Sequence, residues 1–349
     1  MRTFQLIEIQ AASPYERGVQ YGEQAREKIR AGIEDYRKLF SDTSNMSWEA
    51  IKNYALDYIP AVQELFPEIV EEVKGISAGA GVGLDEIMVL NCRYEITKFP
   101  KPKECTSFAV LPEASKDGVT YVGQNWDYRA GIIDNIVVLH IEEEGGTRIF
   151  GLAEAGQVIR NGFNSNGVGL CANNLQSIYD DKGKGIPVTF LRRRVLSCHS
   201  FDEARKLIIN AERSVSCNFM LASSEGKAAD LETYPGGTDL LLPVDGIITH
   251  ANHFVIQPDI HALEISPRGD RLEQLLREKL GSIDIAHIEK CLCDHENYPK
   301  AICRHPSDVS IPLSVRGITV AGVIYDFSGG TAYVCAGPPC EGEFTAYKL

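Results

Sequence analysis

At Cys105 the texture of the chain changes, and this change restricts the fold more than any other feature of the sequence. From Arg17 to about Asn91 the apolar residues recur at helical spacing. In "SWEAIKNYALDYIPAVQELFPEIVEEVKGI" they fall at Ile51, Ala55, Ile59, Val62, Leu65, Phe66, Ile69, Val70 and Val73, close to a 3.6-residue period. Ser47 is placed to cap the first of these helices. Pro60 and Pro67 should divide the segment, because proline lacks the N–H that a helix interior needs. The glycine-rich "GISAGAGVG" is expected to end it, and "LDEIMVLNCRYEI" reads as a further helix. No strand precedes that glycine run, which argues against a dinucleotide-binding loop.

Beyond Cys105, short apolar runs alternate with turn signals. "TSFAVLPEASKDGVTYVGQNWDY" reads as two strands about a turn at Asp117-Gly118, and "NIVVLHIEEEGGTRIFGLAEA" repeats the design around Gly145-Gly146. Further strand-like runs are "GVGLCANN", "CNFMLASS", "KAADLETY", "GIITHANHF", "GITVAGVIYDF" and "TAYVCAG". Between them lie two expected helices, 186–198 and 201–211, the second opened by Ser200 and Glu203 as a capping box. Successive antiparallel strands interrupted by a helical pair point to two sheets with helices packed outside them.

The net charge of −13, from 48 acidic and 35 basic residues, disfavours a nucleic-acid surface. "MRTFQLIEIQ" shows a polar alternation where a signal peptide would carry an unbroken apolar stretch, and no run elsewhere is long enough to span a bilayer. A cytoplasmic protein without membrane partners is expected. The ten cysteines then read as reduced thiols rather than a disulfide framework. Cys291-x-Cys293 followed by Cys303-x-His305 is the one arrangement that resembles a metal site. Structural zinc usually uses wider pairs, so buried or incidental thiols are the expectation and no metal is assigned.

An unpaired cysteine is ordinarily a small hydrophobe in a core. Cys105 gains another role if it becomes the first residue of a chain cut after Glu104. Its own α-amine, with a reference pKa of about 7.7–8.0, could then accept the thiol proton, and no histidine would be needed. Such a site requires an acidic or carbonyl group near the amine, donors for an oxyanion, and a cation. "GQNWDYR" carries Asp127 to the far end of the strand paired with the one that begins at Cys105. "THANHF" puts Asn252 at a strand end, and "SVRGITV" puts Arg316 just before an apolar strand. Each of these has an ordinary reading as a turn or edge residue.

Taken with "CTSFAV", "EAGQVIRNGFNSNGVGLCANNL", "ENYPKAICR" and, upstream, "RGVQYGEQA", these stretches make the chain similar to the peptidase C45 family. This is the group of acyl-coenzyme A:6-aminopenicillanic acid acyltransferase, within the N-terminal nucleophile (Ntn) hydrolases. The resemblance implies an α+β fold, a four-layer αββα sandwich with an N-terminal helical segment. It also implies a precursor that cuts itself between Glu104 and Cys105, leaving a helical α chain, 1–104, docked on a catalytic β chain, 105–349. Glu104 stands where the penicillin branch of the family has glycine. By similarity Cys105 is the nucleophile, Asp127 its supporting carboxylate, Asn252 the oxyanion residue and Arg316 the active-site arginine. The implied chemistry is cleavage or transfer of acyl groups through a Cys105 thioester. The substrate would be a small acyl amide or acyl-CoA, and no cofactor is needed.

Two other readings compete. A papain-like pair would use His250 or His253 as base. A non-catalytic binding protein would keep the fold; loss of any of Cys105, Asp127, Asn252 or Arg316 would favour it, and all four are present. Trp126 and Tyr128 are expected as core aromatics, and Asn173 and Asn174 as further donors or loop residues.

Overall fold

The computed structural model describes residues 2–96, 105–180, 185–261 and 265–349. Glu104 therefore lies outside the described residues. Two sheets form the centre of the molecule. The larger runs β1 (Gln5–Gln10), β4 (Ile136–Glu142), β5 (Arg148–Glu154), β6 (Asn161–Asn164), β7 (Val168–Asn174), β8 (Cys217–Ser223), β9 (Lys227–Tyr234), β10 (Gly237–Leu241). The smaller runs β11 (Ile247–His250), β2 (Cys105–Val110), β3 (Tyr121–Arg129), β12 (Gly317–Asp326), β13 (Thr331–Ala336), β14 (Thr345–Lys348). All pairings are antiparallel except that of β1 with β4, which is parallel.

Side-chain alternation along the strands divides the interior into three apolar layers. On β4, Val137, Leu139 and Ile141 face α2 (Arg26–Thr43), α5 (Pro67–Ala80), α8 (Val188–Val195) and α9 (Phe201–Asn210), through residues such as Ile33, Ile76, Leu191 and Ile208. Val138, in the same strand, points the other way and meets Ala109, Val122, Trp126 and Tyr325 between the sheets. The outer face of the smaller sheet, through Phe108, Val110 and Ile324, packs on Leu272 and Leu276 of α10 (Arg268–Arg277) and Ile288 and Leu292 of α11 (Ile285–Leu292). The order is helices, sheet, sheet, helices, which is the αββα sandwich the resemblance implies. Burial on both faces explains why "IVVL" at the start of β4 is an unbroken apolar run.

The N-terminal part is more than a helical segment. Its first strand, β1, is the edge of the larger sheet, and its helices form most of one outer layer. Ser47 caps α3 (Trp48–Leu56) by accepting the Ala50 N–H at 3.2 Å, and the two prolines separate α3, α4 (Ile59–Leu65) and α5 as expected. The glycine run does not end α5 where it begins. Gly75 and Gly79 lie inside the helix, and the break comes at Gly81, whose φ of 64° is left-handed. The two internal glycines lie against Gly18 and Gly22 of α1 (Pro14–Gln24), bringing the helix backbones so close that a Cβ on Gly75 would run into the Tyr15 carbonyl. Two short helices, α6 (Leu84–Asn91) and α7 (Arg93–Ile96), replace the single one expected there. No helix among the described residues is long and apolar enough to cross a membrane.

Candidate active site

Cys105 is the first residue of β2 and is 3% exposed, with its side chain on the inner face beside its register partner Trp126. The neighbouring strand fixes what meets its backbone. In the antiparallel pair of β11 with β2, His250 lies opposite Ser107, so the residue two further on falls opposite Cys105. That residue is Asn252. Its Oδ1 accepts the Cys105 backbone N–H at 2.6 Å, and its Nδ2 donates to the Asn174 carbonyl at 2.8 Å. Arg268, buried at the start of α10, closes the arrangement. Its Nη2 donates to Asn252 Oδ1 at 2.8 Å and to the Cys105 carbonyl at 3.4 Å, while its Nε donates to Thr106 Oγ1 at 3.1 Å.

The thiol has its own cation. Arg160 enters from the connection between β5 and β6, held by its backbone bond to Leu152, and places Nη2 3.2 Å from Cys105 Sγ. Its guanidinium lies 4.2 Å from the Trp126 ring centroid and donates to the Tyr94 hydroxyl. Burial pushes the Cys105 thiol up, and Asp127 adds to the rise. Arg160, the hydrogen bond to the Asp127 carbonyl and Arg268 oppose it without reversing it. The thiol is thus held above the ordinary cysteine range, and a nucleophilic role would call for a base.

His250 is not placed to be that base. Its Nδ1 is 2.9 Å from the Ala251 carbonyl and its Nε2 2.8 Å from Glu232 Oε1, so both nitrogens must be donors and the ring is an imidazolium. Burial disfavours that charge, but Asp230 and Glu232 outweigh burial and raise its pKa. Glu232 also accepts the Val255 and Ile256 N–H groups, so the cluster pins the turn that carries Asn252. His253 stacks on His250 and accepts from Ser266 N–H.

Asp127 and Arg316 sit differently from Asn252. The Asp127 carbonyl lies 3.8 Å from Cys105 Sγ, but its carboxylate points, with Asn125, to the opposite face of the strand, where Oδ1 accepts from Thr319 Oγ1 at 2.6 Å. Arg316 donates to the carbonyls of Ile311 and Val309 and lines a cavity of about 400 Å³ with Ile133, Leu313, Ile318 and Pro338. Among the described residues, the guanidiniums that contact Cys105 are those of Arg160 and Arg268, neither of which the sequence motifs single out. Arg160 lay inside the quoted "EAGQVIRNGFN" stretch; Arg268, in "SPRGDR", lay outside every motif.

Comparison with known proteins decides the family. The model of the acyl-coenzyme A:6-aminopenicillanic acid acyl-transferase family matches residues 114–341. The chain belongs to this family. Over 344 residues, 94% of the chain and 91% of the relative, it is 27% identical to the 40 kDa form of acyl-coenzyme A:6-aminopenicillanic-acid-acyltransferase from Emericella nidulans. Among solved structures, a conjugated bile acid hydrolase from Clostridium perfringens aligns at 15% identity and a TM-score of 0.49, covering 70% of this chain and 97% of that one. An N-acylethanolamine-hydrolyzing acid amidase ortholog from Caenorhabditis elegans aligns at 15% identity and a TM-score of 0.46, covering 63% and 92%. In this member of the acyl-transferase family the Cys105 backbone N–H donates to Asn252, Arg268 holds the Cys105 carbonyl and Asn252, and Arg160 lies against the sulfur. Trp126, expected only as a core aromatic, forms the floor under Arg160. Asn173, also on β7, donates to Ser107 Oγ and the His250 carbonyl and so helps align β2 with β11.

Proposed function

We propose that this protein cuts itself between Glu104 and Cys105, and that the freed Cys105 then carries acyl groups from small amides or acyl thioesters to water or an amine. The observation that carries the reading is the anchoring of the Cys105 backbone nitrogen. It lies 2.6 Å from Asn252 Oδ1, which Arg268 also holds. A nitrogen fixed in this way becomes, after scission, an α-amine within reach of its own thiol.

In the first step Cys105 Sγ adds to the Glu104 carbonyl carbon and the C–N bond breaks. The acyl group passes to sulfur and the nitrogen becomes an amine. Water then hydrolyses the thioester, giving a Glu104 carboxylate and a free Cys105, and dividing the chain into 1–104 and 105–349. On substrate, the α-amine takes the thiol proton, the sulfur attacks the acyl carbon, and the same proton leaves with the departing amine or thiol. Asn252 Nδ2 carries two protons; one is donated to the Asn174 carbonyl, and we assign the second to the tetrahedral oxyanion. Arg160 stabilises the thiolate.

Intact-mass spectrometry under denaturing conditions, on wild type beside Cys105→Ala, tests the first step. Two wild-type fragments meeting at Glu104–Cys105, with the variant whole, support it; a whole wild type refutes it. A screen of N-acyl amines, N-acyl amino acids and acyl-CoA, with and without amine acceptors, then separates hydrolysis from transfer. A His250→Gln/His253→Gln variant that retains turnover would remove the papain-like reading.

A further inference from the structure

The loop after α11 and the turn after β13 meet in a cluster that the acyl chemistry does not use. His295, Cys303, His305 and Cys340 each offer one ligand atom, and these atoms all lie within 4.8 Å of one another. His305 Nε2 is 3.1 Å from Cys340 Sγ and 3.7 Å from Cys303 Sγ. The His295 ring lies 5.1 Å from that of His305, centroid to centroid. Tetrahedral zinc, with Zn–S of about 2.3 Å and Zn–N of about 2.0–2.1 Å, sets its ligands roughly 3.3–3.8 Å apart. The quartet is therefore near the required spacing and offers the two sulfurs and two imidazoles of a closed structural site.

A second observation concerns the other nitrogen of His305. Its Nδ1 lies 3.4 Å from Glu341 Oε1, while Nε2 is the ring nitrogen beside the two thiols. This is the outer carboxylate that metal-bound histidines commonly have. The sequence spacing concealed the set, because Cys303-x-His305 is completed by His295 and Cys340 rather than by Cys291-x-Cys293. Cys291 instead sits in the core beneath the smaller sheet, 3.6 Å from His287 Nε2.

We infer that His295, Cys303, His305 and Cys340 bind one zinc ion. Both thiols lose their protons on binding, so two protons are released and the complex is neutral apart from Glu341. With four protein ligands the site has no open position, so its role is mechanical. It clips the turn after β13 to the loop that ends at His305. Between two of the ligands lies Arg304, whose N–H donates to Thr319 Oγ1 at 2.8 Å and whose carbonyl accepts the Thr319 N–H at 3.0 Å. Thr319 in turn holds Asp127. His305 and Glu341 also line the cavity that Arg316 borders, so the ion would fix one wall of it.

The full-length protein, purified under reductant, stripped with a chelator and titrated with Co²⁺, tests the assignment. The expected result is the intense visible spectrum of tetrahedral, thiolate-ligated cobalt, saturating at about one ion per chain and bleached by zinc. His295 and Cys340 are exposed, so His295→Ala/Cys340→Ser should keep the circular dichroism of the metal-free wild type while losing the spectrum. Cys293→Ser, outside the quartet, should keep both. A folded wild type with no tetrahedral spectrum overturns the inference. So does an undiminished spectrum in the double variant, or a Cys303–Cys340 disulfide that persists under reductant in a peptide map.

Discussion

Replacing Arg160 with glutamine tests the electrostatic account of the Cys105 thiol. At 3.2 Å and an effective dielectric of about 20, a unit charge pair is worth about 5 kcal/mol, which is a ceiling. Hydrogen bonds to charged groups contribute about 1.5–3 kcal/mol when measured by substitution. At about 1.36 kcal/mol per pH unit, Arg160→Gln should raise the already elevated Cys105 pKa by about 1–2 units more. Each unit lowers the thiolate fraction tenfold, but the remaining thiolate is more nucleophilic, with a Brønsted coefficient of about 0.4–0.5. The two effects together predict alkylation at pH 8 that is roughly 3- to 15-fold slower. The assay is competition for limiting iodoacetamide between the protein and a free thiol, read at the Cys105 peptide by mass spectrometry. Arg160→Lys, which keeps a charge near the sulfur, should fall between wild type and glutamine. A substitution that merely loosened the site would expose the buried thiol and speed its alkylation. A rate equal to or above wild type in Arg160→Gln therefore refutes the reasoning.

Other perturbations follow from single contacts. Asn252→Ala removes the acceptor shared by the Cys105 N–H and Arg268; scission and turnover should both slow by about 10²–10³-fold, followed by intact mass and product release. Gly75→Ala drives a methyl into the Tyr15 carbonyl where α1 crosses α5, and should lower stability by about 1–3 kcal/mol in urea unfolding; an unchanged midpoint would contradict the close approach. Glu95, which accepts the Val188 N–H, is pushed up to about 7, chiefly by burial. Its folded pKa exceeds the unfolded one, so between about pH 4.5 and 7 the folded chain keeps a proton that the unfolded chain has lost, and stability falls as pH rises through that window. Urea midpoints of Glu95→Gln at the two ends of the window should show a smaller decline than wild type.

The strands and turns were legible because their signals are local. Gly145 and Gly146, both at positive φ, mark the β4–β5 turn in sequence and in structure alike. Cys105 and Asn252 were legible too, each lying at the end of an apolar run, and strand register brings them together. Arg160 and Arg268 were not. Each reaches the thiol or its backbone through a long side chain from an element remote in sequence, and no spacing encodes that convergence. Gly75 and Gly79 misled for a related reason. Glycine reads locally as a helix breaker, but here it permits a helix crossing that only the tertiary structure explains. The polar alternation of "FQLIEI" argues against a signal peptide, and its period of two belongs to β1, whose partner lies more than a hundred residues away.

That partnership changes the molecularity of folding. Before scission, β1 and β4 belong to one chain, and their pairing is an intramolecular closure independent of protein concentration. A break before Cys105 would make the same ladder, and the helical layer above it, an interface between two polypeptides. Unfolded cut protein would then reassemble by a second-order reaction, and its apparent stability would rise with concentration. The uncut chain would refold as a first-order process at any dilution. The strand that completes the larger sheet would thus make the proposed processing a one-way step in the folding history of the molecule.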